Sequence, residues 1–454
     1  MSGTAVMWFR RDLRLGDNPA LLDAVESGPD GVLPLFVLDP ALWDPAGVSR
    51  RWYLTRSLTA LDAALRPGGN GLSVLQGDPV TEVVRAARAV AATRVHVAAD
   101  YGPYGRQRDE AVERTLADHD IELVHTGSPY AVAPDRVRNG SGQPYRVYTP
   151  FARAWAEHGW RDPVAAPHRP SWLSLEDGVE LPDPELPEGL ELPEAGEEAA
   201  RRRWEAYLED GLTEYDAVRD RPDLDSTSRM SVHLKWGEIH PRTMLADLRS
   251  RRSKGAAAYR RELAFREFYA DTLFHQPHTA RDYLRPEFAS MEYDEPAEQL
   301  VAWQEGRTGF PVVDAGMRQL RAIGWMHNRV RMIVASFLVK DLHLEWQHGG
   351  RHFLHWLVDG DLASNMHGWQ WVAGCGTDAA PYFRVFNPVS QGRKFDPSGD
   401  YVRRWVPELR GLEAPHVHEP WTCPDGPPEG YPQPIVDHGQ ERVEALARYE
   451  RLRS

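Results

Sequence analysis

The sequence predicts two domains of different architecture, an α/β layer on a parallel sheet followed by a large all-α domain, joined by a long linker. Three observations carry this. Residues 1–130 alternate short β-like runs with amphipathic helical runs, the pattern of strands joined by crossover helices. Residues 131–200 form a connector whose second half is rich in Pro and Glu, as in Leu181-Pro-Asp-Pro-Glu-Leu-Pro-Glu188, and can bury little apolar surface. From 201 to 454 helical periodicity dominates and strand signals nearly vanish. At 454 residues the chain also exceeds one ordinary domain.

In the first domain the strand candidates are 5–9, 32–38, 72–75, 95–99 and 121–125, with amphipathic stretches at 20–26, 50–65, 80–92 and 106–118 between them. The layer is Rossmann-like, but Trp8-Phe-Arg-Arg-Asp-Leu-Arg14 stands where a Gly-x-Gly-x-x-Gly fingerprint would follow the first strand. The connector is expected to run as a long surface linker. In the second domain the clearest periodicities cover 257–273, 312–341 and 352–358. Gly306, Gly309-Phe-Pro311, Gly349-Gly350 and Gly374 punctuate more than ten expected helices.

Composition excludes several classes. No stretch is long and uncharged enough for a membrane span. The N-terminus lacks a basic start followed by an apolar core, so no secretory signal is expected. Two cysteines, Cys375 and Cys423, cannot build a disulfide framework or a cysteine-only zinc site, and they fit a cytoplasmic protein. The formal charge is −14, but residues 176–200 hold ten acidic side chains and no Lys or Arg. An acidic total therefore leaves room for a basic face that binds nucleic acid. Ten of the 16 tryptophans follow residue 200, which suits either a Trp-rich core or a stacking or electron-transfer site.

Four segments of the second domain read poorly as plain core. Thr227-Ser-Arg-Met-Ser231 enters a helix with small hydroxyls, which suits a helix cap or a phosphate site. Glu262 and Arg266 lie four apart among aromatics, where a merely solvated ion pair would be unusual. In Gly324-Trp-Met-His-Asn328-Arg-Val-Arg331-Met332, an amide, a guanidinium and a thioether leave one helix side and need partners or a ligand. Asp359-Gly-Asp361-Leu-Ala-Ser-Asn365-Met-His-Gly-Trp369-Gln-Trp371 holds two carboxylates, an amide and two indoles. It lacks the glutamate that closes a calcium loop, and no metal site is expected.

These motifs resemble the flavin domain of the DNA photolyase/cryptochrome family. The likeness runs from Trp8-Phe-Arg-Arg-Asp-Leu-Arg14 to Tyr431-Pro-Gln-Pro-Ile-Val436 and is nearest to class I photolyases for cyclobutane pyrimidine dimers. The resemblance implies non-covalent FAD in the all-α domain, light-driven electron transfer to a flipped-out dimer, and UV-damaged DNA as substrate. It implies a monomer without an obligatory protein partner. By motif match, Tyr215 and Thr227, Ser228, Arg229, Met230 and Ser231 would meet the phosphates and ribitol. Arg266, Arg331, Asp359, Asp361 and Asn365 would surround the rest of the cofactor, with Arg331 and Asp359 as an ion pair beside the flavin ring and Asn365 facing its N5. Glu262 would hydrogen-bond the lesion, with Phe265, Asn328, Met332 and Trp371 around it. Arg219, Arg329, Arg393 and Lys394 would contact DNA phosphates. Trp369 and Trp346 match the two inner electron carriers, and Tyr293 stands at the expected outer tryptophan, so photoreduction is expected to end on Tyr293 or on another surface aromatic. Two further departures stand out. Phe265 replaces a usual Trp, and Met366-His367 replaces a usual Asn-Gly.

The family often binds a second chromophore near the α/β domain. Asp39, Arg51, Asp100 and Lys235 match members that bind 8-hydroxy-5-deazaflavin. Members binding methenyltetrahydrofolate usually carry a carboxylate where Gly102 stands. The alternative function is a cryptochrome-like photoreceptor acting through a partner. Repair of (6-4) photoproducts is disfavoured, because Asn328 and Met332 occupy the pocket helix where that chemistry uses paired histidines.

Overall fold

The computed structural model describes residues 3–168, 170–377 and 383–453. Five strands, β1 (Thr4–Phe9), β2 (Gly31–Leu38), β3 (Ser73–Gln76), β4 (Arg94–Val97) and β5 (Glu122–His125), form one parallel sheet in the order β3-β2-β1-β4-β5. β1 lies at the centre, with Ala5 opposite Val32 on one side and Arg94 on the other. Its continuous apolar run is what a strand covered on both faces requires. Helices Pro79–Ala89 and Pro103–Ala117 supply the cover on one face, while Pro19–Ser27 and Val48–Leu65 pack on the other. Each strand position expected from the sequence is occupied to within a residue or two at its ends.

Strand order reverses between β1 and β4, the point where doubly wound sheets leave a crevice at their carboxyl ends. Here that crevice is filled by arginine. Arg10 leaves β1 to reach the Ala98 carbonyl and the Asp109 carboxylate. Arg11 points the other way, into the all-α domain.

The connector divides into two parts. Residues 131–158 join the helical core: Val132, Tyr148, Phe151 and Trp155 pack with Trp204, Tyr259 and Phe268. Buried Glu267 fastens them, accepting from the Ala131 and Val132 amides at 2.6 and 2.9 Å and from Trp155 Nε1 at 2.6 Å. The Pro-rich part runs along the α/β layer as a fixed surface strap. Trp172 is buried, the Leu173 amide donates to Val32 O at 2.8 Å and the Val179 amide to Val74 O at 2.8 Å.

The second domain is helical throughout, in two packed clusters on either side of a central cavity. The long periodicity expected over 312–341 is in fact two helices, Pro311–Ile323 and Asn328–Lys340. Gly324 takes a left-handed conformation (φ 59°) that ends the first, and His327 caps the second by accepting from the Arg329 amide at 3.2 Å. The apolar period runs across the break, so pattern alone could not show it. No helix among the described residues is long and apolar enough to cross a membrane.

Buried carboxylates join the two domains. Fully buried Glu238 accepts from Tyr53 Oη at 2.9 Å, the Gly196 amide at 2.6 Å and Ser57, and it pairs with His233. Asp17 takes Arg242 Nη2 at 2.8 Å. Glu238→Ala would leave four buried polar groups facing a void. It is expected to destabilise the protein by about 3–5 kcal/mol in chemical denaturation, whereas Glu238→Gln, which keeps an acceptor, is expected to cost less.

Candidate functional site

The central cavity has a volume of about 640 Å³. Helix Lys254–His275 forms one wall and brings Glu262, Phe265 and Arg266 to it. Helix Asn328–Lys340 brings Asn328, Arg329, Arg331 and Met332. Helix Leu362–Ala373 adds Asn365, Trp369 and Trp371, with Asp359 and Asp361 in the preceding turn. Tyr215, Arg219 and the run Thr227, Ser228, Arg229, Met230 and Ser231 close a third side. Residues more than 150 positions apart in sequence thus share one chamber.

Its electrostatics are specific. Arg331 Nη2 donates to both oxygens of Asp359, at 3.1 and 2.9 Å, and its Nε donates to Met326 O at 2.8 Å. The double contact fixes a planar cation against one wall. Asp361 caps its helix by accepting the Ser364 amide at 3.0 Å and takes Arg11 Nη2 at 2.7 Å. Burial alone would raise its carboxyl, but Arg11, Lys235 and Arg266 outweigh burial and hold it far below the usual carboxylate range. Arg266 is spread over the Tyr130 ring and donates to Pro129 O and Leu234 O, so it does not pair with Glu262 four residues earlier. Glu262 pairs instead with Arg219. Asn365 Nδ2 donates to Gly350 O at 3.0 Å, which orients the amide and leaves its oxygen uncommitted within the protein.

The hydroxyl run is shaped for an anion. Arg229 holds a positive φ of 53°, and its guanidinium lies over the Trp325 ring at 4.7 Å and pairs with Asp225. Ser228 Oγ is shared with Tyr259 Oη at 2.7 Å, whereas Thr227 Oγ1 is buried without a protein partner. A buried hydroxyl with no partner at the wall of a cavity this size fits a polar ligand group such as a phosphate. The residues present therefore suit a large cofactor with both a charged and a planar part.

The two departures have local explanations. Phe265 stacks face to face on Tyr148, with centroids 3.4 Å apart. His367 is buried, stacks on Tyr269 at 5.7 Å and meets Thr279 Oγ1 at 3.3 Å; burial pushes its ring down to about 4, so it is a neutral filler behind the cavity wall. Met366 Sδ contacts Asn365 Nδ2 at 3.7 Å, a second restraint on that amide.

Not every expected residue lies in the chamber. Arg393 and Lys394 stand on the separate helix Pro388–Phe395, with Arg393 paired to Glu419, and Arg329 joins them at the rim by lying over Phe395 at 4.4 Å. Arg329 also pairs with Asp220 at 2.9 Å. Trp346 is fully buried behind Gly350 and outside the cavity lining, and Tyr293 is farther out. Of the second-chromophore residues, Asp39 accepts from Tyr104, Asp100 pairs with Arg108 at 3.3 Å, and Arg51 lies 6.0 Å over Trp43 with its Nε buried and unpartnered. Lys235 parts company with these three in lining the central cavity itself. It interacts with Asp361 as well as with Asp100, so it stands between the two regions. Sequence reasoning missed Arg11. Arg11 lay within a noted arginine-rich motif, but its partner is 350 residues away.

Comparison with known proteins agrees with this architecture. A family model described as the FAD binding domain of DNA photolyase matches residues 259–451, and one described as DNA photolyase matches residues 5–170. A deoxyribodipyrimidine photo-lyase of Streptomyces griseus is 42% identical over 99% of both chains. One of Escherichia coli (strain K12) is 38% identical, again over 99% of both. Among solved structures, a bacterial class III photolyase from Agrobacterium tumefaciens superimposes with a TM-score of 0.91 at 37% identity, covering 100% of this chain and 98% of its own. An archaeal photolyase from Sulfolobus tokodaii with two FAD molecules gives 0.88 at 30%, covering 99% and 100%. An all-α cavity with a buried Arg–Asp pair and a hydroxyl run, set behind a fingerprint-free parallel sheet, is the architecture of a flavin-dependent light-driven enzyme. The chain belongs to the DNA photolyase family, and its helical half is an FAD-binding domain.

Two measurements test this site. Burial, with Arg11 second, lowers Lys235 to about 7, against the attraction of Asp361. Between pH 7 and the ordinary lysine range the unfolded chain therefore binds a proton that the folded chain lacks, and this residue's contribution to stability rises with pH. The stability difference between the parent protein and Lys235→Met is expected to move in favour of the parent by up to ~1.4 kcal/mol per pH unit from pH 7 to 10 in denaturation titrations. Separately, a Cβ on Gly349 would lie 2.0 Å from Trp369 Cη2. Gly349→Ala is expected to cost about 1–3 kcal/mol by overpacking and to displace the Trp369 ring, read as altered tryptophan fluorescence.

Proposed function

We propose that this protein repairs cyclobutane pyrimidine dimers in UV-damaged DNA by light-driven electron transfer, as a cytoplasmic monomer. An α/β domain (1–130) would bind an antenna, a connector (131–200) would follow, and the all-α domain (201–454) would carry FAD, DNA and catalysis. The observation that carries the reading is the shared chamber, lined both by residues suited to the cofactor (Arg331–Asp359, Asp361, Asn365, the 227–231 run) and by residues suited to the lesion (Glu262, Asn328, Met332, Trp371). The names of the relatives support it.

Reduced FAD, when bound and excited by light, supplies the electron that splits the dimer and takes it back. The residues do the rest. Thr227 Oγ1 and its neighbours would hold the phosphates, and Tyr215 would close over them. The Arg331–Asp359 pair brings no net charge beside the ring, so a reduced anionic ring meets no unbalanced carboxylate. The Asn365 oxygen would accept a hydrogen bond from a proton-bearing ring nitrogen. Trp371 and Phe265 would stack on the flipped bases, worth about 1–3 kcal/mol per base. Glu262 would take hydrogen bonds from the lesion.

Arg219 and Arg329 are already occupied by Glu262 and Asp220. A DNA phosphate must therefore displace a carboxylate, which holds down affinity for undamaged DNA, and the exchange at Arg219 releases Glu262 to the lesion. For the second chromophore, Asp39, Arg51 and Asp100 would suit an acidic, phenol-like deazaflavin. Chromatography of extracted chromophores separates deazaflavin from folate and from a second flavin.

The deciding assay is blue light against darkness on a thymine-dimer oligonucleotide with reduced protein; dimer loss in light alone is expected. Glu262→Ala is expected to weaken damaged-strand binding and repair roughly 10–100-fold, while undamaged DNA binds equally well or better because Arg219 is freed. Equal loss on both DNAs would contradict the exchange.

A further inference from the structure

The structure holds a buried phenol on the electron route that the sequence did not single out. Trp369, on the cavity wall, packs against Gly349, and Trp346 borders the next residue, Gly350, whose Cβ position is 3.5 Å from its ring. Among the described residues, the tyrosine ring in contact with Trp346 is that of Tyr283, edge-on at 6.1 Å and 86°. Tyr293 lies one ring farther, stacked on Tyr283 at 6.4 Å and 19°. The order outward from the cavity is thus Trp369, Trp346, Tyr283, Tyr293.

Tyr283 also has what tyrosine oxidation requires. A phenol that loses an electron becomes a strong acid, so a base must already stand within hydrogen-bond reach. Tyr283 Oη donates to Glu345 Oε1 at 2.9 Å. Glu345 precedes Trp346 directly and is half-buried, open enough to pass a proton to water. Before oxidation the phenol keeps its proton: burial, then Tyr293, then Glu345 all push it well above the ordinary tyrosine range. Among the described residues Tyr293 has no carboxylate hydrogen bond of this kind; its hydroxyl meets that of Tyr283.

Resting on the photolyase reading, we propose that Tyr283, with Glu345 as its proton acceptor, is the proton-coupled terminal donor when light reduces the flavin. The light-excited oxidised flavin is the oxidant. Trp369 loses one electron to it, Trp346 refills Trp369, and Tyr283 gives one electron to Trp346. In that last step the Tyr283 O–H bond breaks and a Glu345 O–H bond forms, leaving a neutral tyrosyl radical and both indoles restored. Handing the proton to Glu345 blocks charge return, because Trp346 can be re-oxidised only if the proton moves back.

The test is time-resolved absorption and EPR on the full-length FAD-loaded protein, flavin oxidised, in H2O and D2O. A neutral tyrosyl radical is expected, formed more slowly in D2O. Tyr283→Phe should lower its yield at least tenfold and leave the oxidised state on Trp346, whereas Tyr293→Phe should change it less than twofold. Glu345→Gln keeps an acceptor oxygen but no base and should slow radical formation at least tenfold. A tyrosyl radical persisting in Tyr283→Phe, its loss in Tyr293→Phe, an unchanged rate in Glu345→Gln, or no tyrosyl radical in the parent protein would each overturn the inference. Dimer repair by chemically reduced samples of the same variants bypasses this route. Intact repair with a failed radical test overturns this inference alone, and absent repair in the parent protein overturns the functional reading.

Discussion

The constraint on which the rest of the structure depends is the buried carboxylate of Asp361. Burying an ionised carboxylate is costly unless cations and donors surround it. Asp361 gathers Arg11 from the end of β1, Lys235 and Arg266 from the helical domain, and the Ser364 amide of its own helix. One group thereby ends a turn, starts the helix that carries Asn365, Trp369 and Trp371, and pulls the α/β domain onto the cavity wall. Arg11 reaches it from the carboxyl end of β1, beside the crevice where nucleotide-binding sheets normally place a phosphate. The crevice that would hold a dinucleotide is filled by Arg10, while Arg11, next along the chain, points the other way and connects the two domains.

Carboxylates repeat this role elsewhere with other partners. Glu238 joins the helix Val48–Leu65 to the helical domain, and Glu267 ties residues 131 and 132 to the helix that carries Glu262. Around the cavity mouth the pairs are more exposed and consume cations rather than fasten domains. Arg219, Arg329 and Arg393 each carry a carboxylate partner. Under the proposed function, a net acidic charge and a DNA-binding face would be compatible for this reason: the basic residues are present but neutralised until a phosphate replaces the partner.

Much of the fold was legible because its signals are local. Each of the five strands was marked by a short apolar run between turn residues, and the helices between them by amphipathic period. The break at Gly324 was not legible, since the apolar period continues through it and only the left-handed glycine reveals it. The chamber's residues were readable as motifs: helical spacing places Asn328 and Met332 on one side of one helix, and the run from Asp359 to Trp371 matches a known family's motif. The pairing of Glu262 was not: spacing offered Arg266, but Arg266 is drawn to Tyr130 and two carbonyls, leaving Glu262 to Arg219, 43 residues away. Lys235 was grouped with the first domain's residues, and the structure sets it in the cavity wall.

The sequence by itself determined the two-domain architecture, the parallel sheet and the absence of a dinucleotide fingerprint, because each follows from period, spacing or residue type within a few turns of chain, and its motif resemblance to a known family singled out most of the residues that line the cavity. Only the tertiary structure decided which charge meets which: Arg11 with Asp361, Arg219 with Glu262, Tyr283 between Trp346 and Tyr293 with Glu345 as its acceptor. Such partnerships depend on distance in space, and a folded chain brings together groups whose separation along the backbone carries no trace of their contact.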